Sequence, residues 1–303
     1  MSEHITHVAV YEDCARIISL SEFNFSPAFR EALEKAYDSG LICSASRGNH
    51  LYAVPIITRS RELYGTGEYR QQEIEQLAGA IGWLTHRAAD LQMKPLFRQV
   101  DKLENPVLYS DECQMYHDAV SFEEVYAGGE KNTKSDYERI DRSLLSGSMQ
   151  ANPSSHHFGM DLMERVFSHY YVAGLLTNCV FTEELGDVDE FTGKMVEYSQ
   201  DLYEDLRMYI RAYHDPDPYK YQGYIGNFNV YDRQDPLIRF VRYVQEHHKP
   251  HPEIDLMEAL ESAPRQSHYS RALRRGHDFV AAASEFFQKK ISRQEVIKRC
   301  EIN

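Results

Sequence analysis

Gly79-Ala80-Ile81-Gly82-Trp83-Leu84-Thr85-His86-Arg87-Ala88-Ala89-Asp90 is the stretch whose reading decides the fold. Ile74, Leu77, Ile81, Leu84, Ala88 and Leu91 recur at helical spacing and form one continuous apolar stripe. At 100° per residue, His86, Asp90, Gly79, Gly82 and Trp83 fall on a different side. Both sides therefore face protein, and the second carries an imidazole and a carboxylate one turn apart. Buried polar groups must be satisfied, and a divalent metal shared between them is one way to do it. Gly79 and Gly82 leave room for another helix to come close.

The same periodicity extends in both directions from this helix. It predicts helices over residues 5–20 and 27–38, the latter started by Pro27 and stopped by Gly40. Residues 41–68 are mixed, with a turn at Arg47-Gly48-Asn49-His50. The central helix spans about 69–93 and stops near Pro95, and another follows at 109–127. Ser146-Gly147-Ser148 through Asn152-Pro153-Ser154-Ser155 reads as a hinge or long loop. Beyond it, 157–178 and 189–213 read as long amphipathic helices, and the Tyr/Gly/Asn-rich stretch to Asp235 as irregular. Further helices are expected at 236–248, 254–262, 268–288 and 292–300. Strand signals are scarce, so the fold class is all-α, a multi-helix bundle. Residues 1–145 read as a helical core carrying the candidate metal site. Residues 156–303 read as a helical C-terminal region packed on it, or as part of one continuous domain.

At 303 residues, with 42% hydrophobic and 26% charged side chains, the composition is that of a globular protein. A formal net charge of -14 with no compensating basic patch argues against nucleic acid as a partner. No apolar run is long enough to span a bilayer, and no basic segment followed by an apolar one opens the chain. The five cysteines, Cys14, Cys43, Cys113, Cys179 and Cys300, are widely and irregularly spaced without a CxxC pair. They read as thiols in a reducing compartment, and the expected location is cytoplasmic.

Zinc sites in helical proteins draw His nitrogen and Asp/Glu oxygen from several helices, and catalytic ones leave a position open for water. His4 and His7 on the first helix, His50 in the turn, His86 and Asp90 on the central helix and His117 on the next supply such donors. His117 shares a face with Cys113, Val120 and Glu124, which directs it toward a core. A single interior histidine is more often a hydrogen-bonded core residue than a ligand. Several histidines falling on different elements point to a shared centre more strongly than any one of them.

Ile5-Thr6-His7-Val8-Ala9-Val10-Tyr11-Glu12 and the central segment Leu77 to Asp90 resemble the opening and central motifs of the zinc-dependent phospholipase C family, related in fold to the S1/P1 nucleases. The resemblance covers roughly residues 5–125, and its specific part is a helix reading G-(W/Y)-x-x-H-x-x-x-D. It implies an all-helical phospholipase C/P1 nuclease-like core with a helical C-terminal extension. It also implies zinc held by His7, His86, Asp90 and His117, with His50 standing where the family carries an aspartate. The chain departs from the family at Lys94-Pro95, where His-Pro is usual, and lacks a glutamate four residues after His117. The expected cofactor is therefore one or two zinc ions, or none.

The implied activity is hydrolysis of a phosphate ester, on a small molecule or a lipid. Asp90 would be a ligand, Glu123 or Glu124 a base, and Lys94 a point charge for the substrate phosphate. Lys94 also reads as a solvated lysine at a helix end, favoured by the macrodipole. Two other classes compete. An HD-superfamily phosphohydrolase would use His86 with His117-Asp118, although His-Asp recurs at 214–215 and 277–278. A degenerate, non-catalytic helical scaffold or binding protein would keep the fold and lack the metal. His156-His157 with Asp161 and Glu164 reads as a capped helix start, and the acidic run at 183–190 as a solvated loop.

Overall fold

The computed structural model describes residues 5–45, 50–102, 108–127, 208 and 211–302. Among these residues the regular elements are helices and no strand occurs, as the periodicity predicts. They run α1 (Ile5–Leu20), α2 (Pro27–Lys35), α3 (Tyr37–Ala45), α4 (His50–Leu63), α5 (Gln71–Lys102) and α6 (Ser110–Tyr126). Then follow α7 (Pro218–Tyr224), α8 (Pro236–His247), α9 (Leu256–Ser262), α10 (His268–Phe287) and α11 (Arg293–Arg299). No helix among them is long and apolar enough to cross a membrane. The expected hinge at 146–155, the helix at 157–178 and nearly all of that at 189–213 lie outside the described residues.

The central helix is the axis of the molecule. α1, α2, α3, α4, α6 and α10 all pack against α5, and every residue from 77 to 86 is buried. The glycines set how closely its neighbours approach. A Cβ on Gly82 would stand 2.0 Å from the carbonyl oxygen of Gly40, so α3 and α5 cross with their backbones in contact. Gly79 faces the Cys43 thiol one turn away, at 2.9 Å from the same kind of constructed Cβ. On the opposite flank, Gly276 of α10 leaves space for Cys14 of α1 and lies against Thr85 and Ala88 of α5.

Local chemistry sets the helix starts. Asp217, Asp255, Ser267 and Ser292 each cap a helix by accepting a backbone N–H two or three residues on. Four sequence expectations need correction. The helix expected over 27–38 breaks at Ala36 (φ −134°), and Gly40 lies inside α3, where the contact with Gly82 requires it. The segment expected to be mixed contains α4, which runs from His50 to Leu63, and Arg47, Gly48 and Asn49 of the expected turn lie outside the described residues. The Asp217 cap and Pro218 start α7 within the stretch expected to be irregular.

The fourth correction is that α5 passes through Pro95 to Lys102. Proline removes one intrahelical bond, but Pro95 is on the water-facing side, where the orphaned carbonyl can be hydrated. Met93, Leu96, Phe97 and Val100 continue the buried stripe across it. Their burial outweighs the local break, which costs roughly 3 kcal/mol.

Candidate metal centre

His7 lies in the first turn of α1, and His86 and Asp90 lie one turn apart on α5, where the crossing of the two helices brings them together. All three are buried, and one donor atom from each lies within 4.8 Å of the other two. His7 Nε2 is 3.2 Å from Asp90 Oδ1, and His86 Nε2 is 3.4 Å from Asp90 Oδ2. The imidazole rings stack with centroids 4.1 Å apart. Among the described residues no other set of three His, Cys, Asp or Glu donors converges in this way.

A hydrogen bond to the backbone fixes the proton on His86. Its Nδ1 is 2.8 Å from the Ser44 carbonyl oxygen, which can only accept, so Nδ1 carries the hydrogen. In the neutral ring, Nε2 then points a lone pair at the Asp90 carboxylate. Two electron-rich atoms facing each other in a dry interior require a proton on Nε2 or a shared cation. Burial alone would raise the Asp90 carboxyl. The facing His86 charge and the hydrogen bonds from His7 and His86 more than reverse that, holding it well below the usual carboxylate range.

The separations suit a small divalent ion. Ligands about 2.0–2.2 Å from a tetrahedral zinc lie about 3.3–3.5 Å from one another. The two nitrogen–oxygen distances, 3.2 Å from His7 to Oδ1 and 3.4 Å from His86 to Oδ2, are each close to that edge length, and they reach the two different oxygens of the Asp90 carboxylate. Three protein donors leave one tetrahedral position open. Lys94, one further turn along α5, places its Nζ 2.5 Å from Asp90 Oδ2, and its side chain is 46% exposed against 7% for Asp90. It is not at a helix end, because α5 continues to Lys102.

The other sequence candidates stand elsewhere. His117 is buried in α6, with Nε2 3.5 Å from Cys113 Sγ and 3.3 Å from the Tyr224 carbonyl oxygen, and its ring lies against Phe97. His50, at the start of α4, does not join the trio. Glu123 accepts from the Tyr213 hydroxyl at 2.9 Å, and Glu124 pairs with Arg233 at 2.5 Å. Asp118 accepts from Thr6 N at 2.7 Å and Thr6 Oγ1 at 2.8 Å, anchoring the first turn of α1. The adjacent His117 and Asp118 thus serve separate contacts, and neither belongs to the converging group of donors.

One buried charge network was missed by the sequence analysis. Glu12 accepts from the hydroxyls of Tyr37 and Tyr126, both at 2.9 Å. Asp13 accepts from Arg16 at 2.7 Å, from the Tyr269 hydroxyl at 2.8 Å, and from Arg242. Burial raises the Glu12 carboxyl above its ordinary value, and Arg16 and the two tyrosine hydroxyls only partly offset it. Glu12 and Arg16 also line a cavity of about 660 Å³ bordered by α1, α2, α3 and the start of α5, whose walls do not include the histidine trio. The available signal was three charged residues, Glu12, Asp13 and Arg16, within an otherwise apolar helix.

Compared with protein-family models, with curated proteins and with solved structures, the chain matches none.

Proposed function

We propose that His7, His86 and Asp90 bind a divalent metal ion of the zinc class, and that the protein is a metal-dependent hydrolase of phosphate esters, resembling zinc-dependent phospholipase C. The observation that carries this reading is the convergence of three buried donors, a nitrogen of His7, a nitrogen of His86 and a carboxylate oxygen of Asp90, within 4.8 Å of one another. Bound there, the ion would supply Lewis acidity and a water whose pKa is lowered toward about 7.

The protein's own contribution is positional. The Ser44 carbonyl holds the His86 ring in the tautomer that leaves Nε2 available. Asp90 brings the negative charge that a dication needs in a dry site, and the α1–α5 crossing holds His7 against it. Lys94 is the half-exposed cation beside the trio and is placed to hold an anionic phosphate oxygen as a point charge. Glu123 and Glu124 are engaged in other pairs, so the base role is not assigned to them.

Metal content tests the reading directly. Untagged protein should carry close to one zinc per chain, and His86→Ala and Asp90→Ala should each lose it. A panel of phosphodiesters and phosphomonoesters then identifies the ester class. One observation favours a second reading. The Lys94 ammonium already neutralises Asp90, as it would in a non-catalytic helical scaffold with a structural ion pair. Protein purified without metal, whose stability is indifferent to a chelator, would establish that scaffold reading.

A further inference from the structure

We propose that Lys94 and the divalent ion compete for the same carboxylate oxygen, so that metal binding releases Lys94 as the anion-recruiting cation of the site. This rests on the reading of His7, His86 and Asp90 as metal ligands.

The competition follows from one atom. Asp90 Oδ2 lies 3.4 Å from His86 Nε2 and 2.5 Å from Lys94 Nζ. An ion about 2.0–2.2 Å from Oδ2 would stand less than about 5 Å from that ammonium, close enough for strong repulsion in a partly dry site. The residues differ in how easily they can withdraw. His7 and His86 are enclosed, with side-chain exposures of 0% and 1%, whereas Lys94 has 46% of its side chain in solvent. The lysine therefore moves outward while the imidazoles stay. Its backbone does not follow, because α5 continues past it to Lys102.

The displaced ammonium remains tethered one turn from Asp90, at the exposed side of the ion. A tetrahedral dianion approaching from solvent would then meet both the ion and an ammonium released from Asp90, whereas in the metal-free protein Asp90 neutralises Lys94. Metal and anion are expected to bind with positive, reciprocal coupling. The substrate class this selects is an ester whose phosphate carries negative charge.

The test is calorimetric titration of metal-stripped protein with zinc chloride, with and without sulfate, a tetrahedral dianion that keeps zinc in solution. Lys94→Met, which preserves the stem and removes the charge, should bind zinc roughly tenfold more tightly or better without sulfate. Lys94→Gln is the second variant, and Arg98→Met, an exposed cation one turn further along α5, is the control and should bind like wild type. Sulfate should tighten zinc binding in wild type and not in the Lys94 variants. Equal zinc affinity in wild type and both Lys94 variants overturns the competition while leaving the metal site standing. A matching gain in Arg98→Met overturns it too, since the effect would then be one of general charge. Sulfate coupling that persists without Lys94 removes the lysine's recruiting role. If no variant binds zinc, the metal reading fails and the competition fails with it.

Discussion

The carbonyl oxygen of Gly40 occupies the place where a side chain on Gly82 would begin, 2.0 Å from a Cβ built there. The obstacle is backbone, so no rotamer change relieves it. Gly82→Ala should destabilise the protein by about 2–3 kcal/mol despite alanine's better helix propensity, because α3 must be pushed away from α5. Gly79→Ala meets the Cys43 thiol instead, a group that can turn aside, and should cost less than about 1 kcal/mol. Urea unfolding of the two variants checks the contrast. Equal costs would mean that the crossing is not set at Gly82.

Asp118 joins α6 to the start of α1 by accepting from both the backbone N–H and the hydroxyl of Thr6. Asp118→Ala leaves a buried amide without that acceptor and should cost about 2–3 kcal/mol. Asp118→Asn retains one acceptor oxygen and should cost about half as much. Neither variant should change zinc content, which separates this contact from the metal centre and tests the HD-type alternative as well.

Glu12 gives the protein an unusual pH dependence. Its carboxyl is raised by burial, so the folded state holds that proton more tightly than the unfolded chain does. Stability contributed by this group therefore falls as pH climbs from the ordinary glutamate value, near 4.3, toward the folded value. Glu12→Gln lacks this step. The stability of wild type relative to Glu12→Gln should be most favourable near pH 4 and should shrink toward neutrality. Unfolding curves collected across that range check the sign, and a difference that grows with pH would show that the Arg16 and tyrosine contacts outweigh burial.

Zinc that binds only the folded protein should raise its melting temperature. At a free concentration one hundred times the Kd the gain is about 2.7 kcal/mol. A chelator should abolish the gain in wild type, and Asp90→Ala should show none. Differential scanning calorimetry of the two proteins, each with zinc and with chelator, makes the comparison.

The fold class and the two-sided burial of α5 were legible because apolar residues on both faces of one helix leave no side for water. The pairing of His86 with Asp90 was legible for a similar reason, since a spacing of four places both on one face. Pro95 misled because a local rule was read without the buried residues on either side of it, Met93 and Leu96. The partner of His86 Nδ1 is a backbone carbonyl, which carries no sequence signature. His117 was read as a donor for a shared centre, but a sulfur and a carbonyl near its own helix hold it. The Asp13 network had a local sign in Glu12, Asp13 and Arg16, but its partners Arg242 and Tyr269 are 229 and 256 positions away and carry no sign of the meeting.

That last separation also orders events during synthesis. Until residues 242 and 269 have left the ribosome, Asp13 has Arg16 but neither of its distant partners, and the α1 face that carries the network lacks its lid. Closing a loop of more than two hundred residues is slow compared with forming any single helix. The face of α1 that carries Asp13 is therefore closed by helices that emerge more than two hundred positions later.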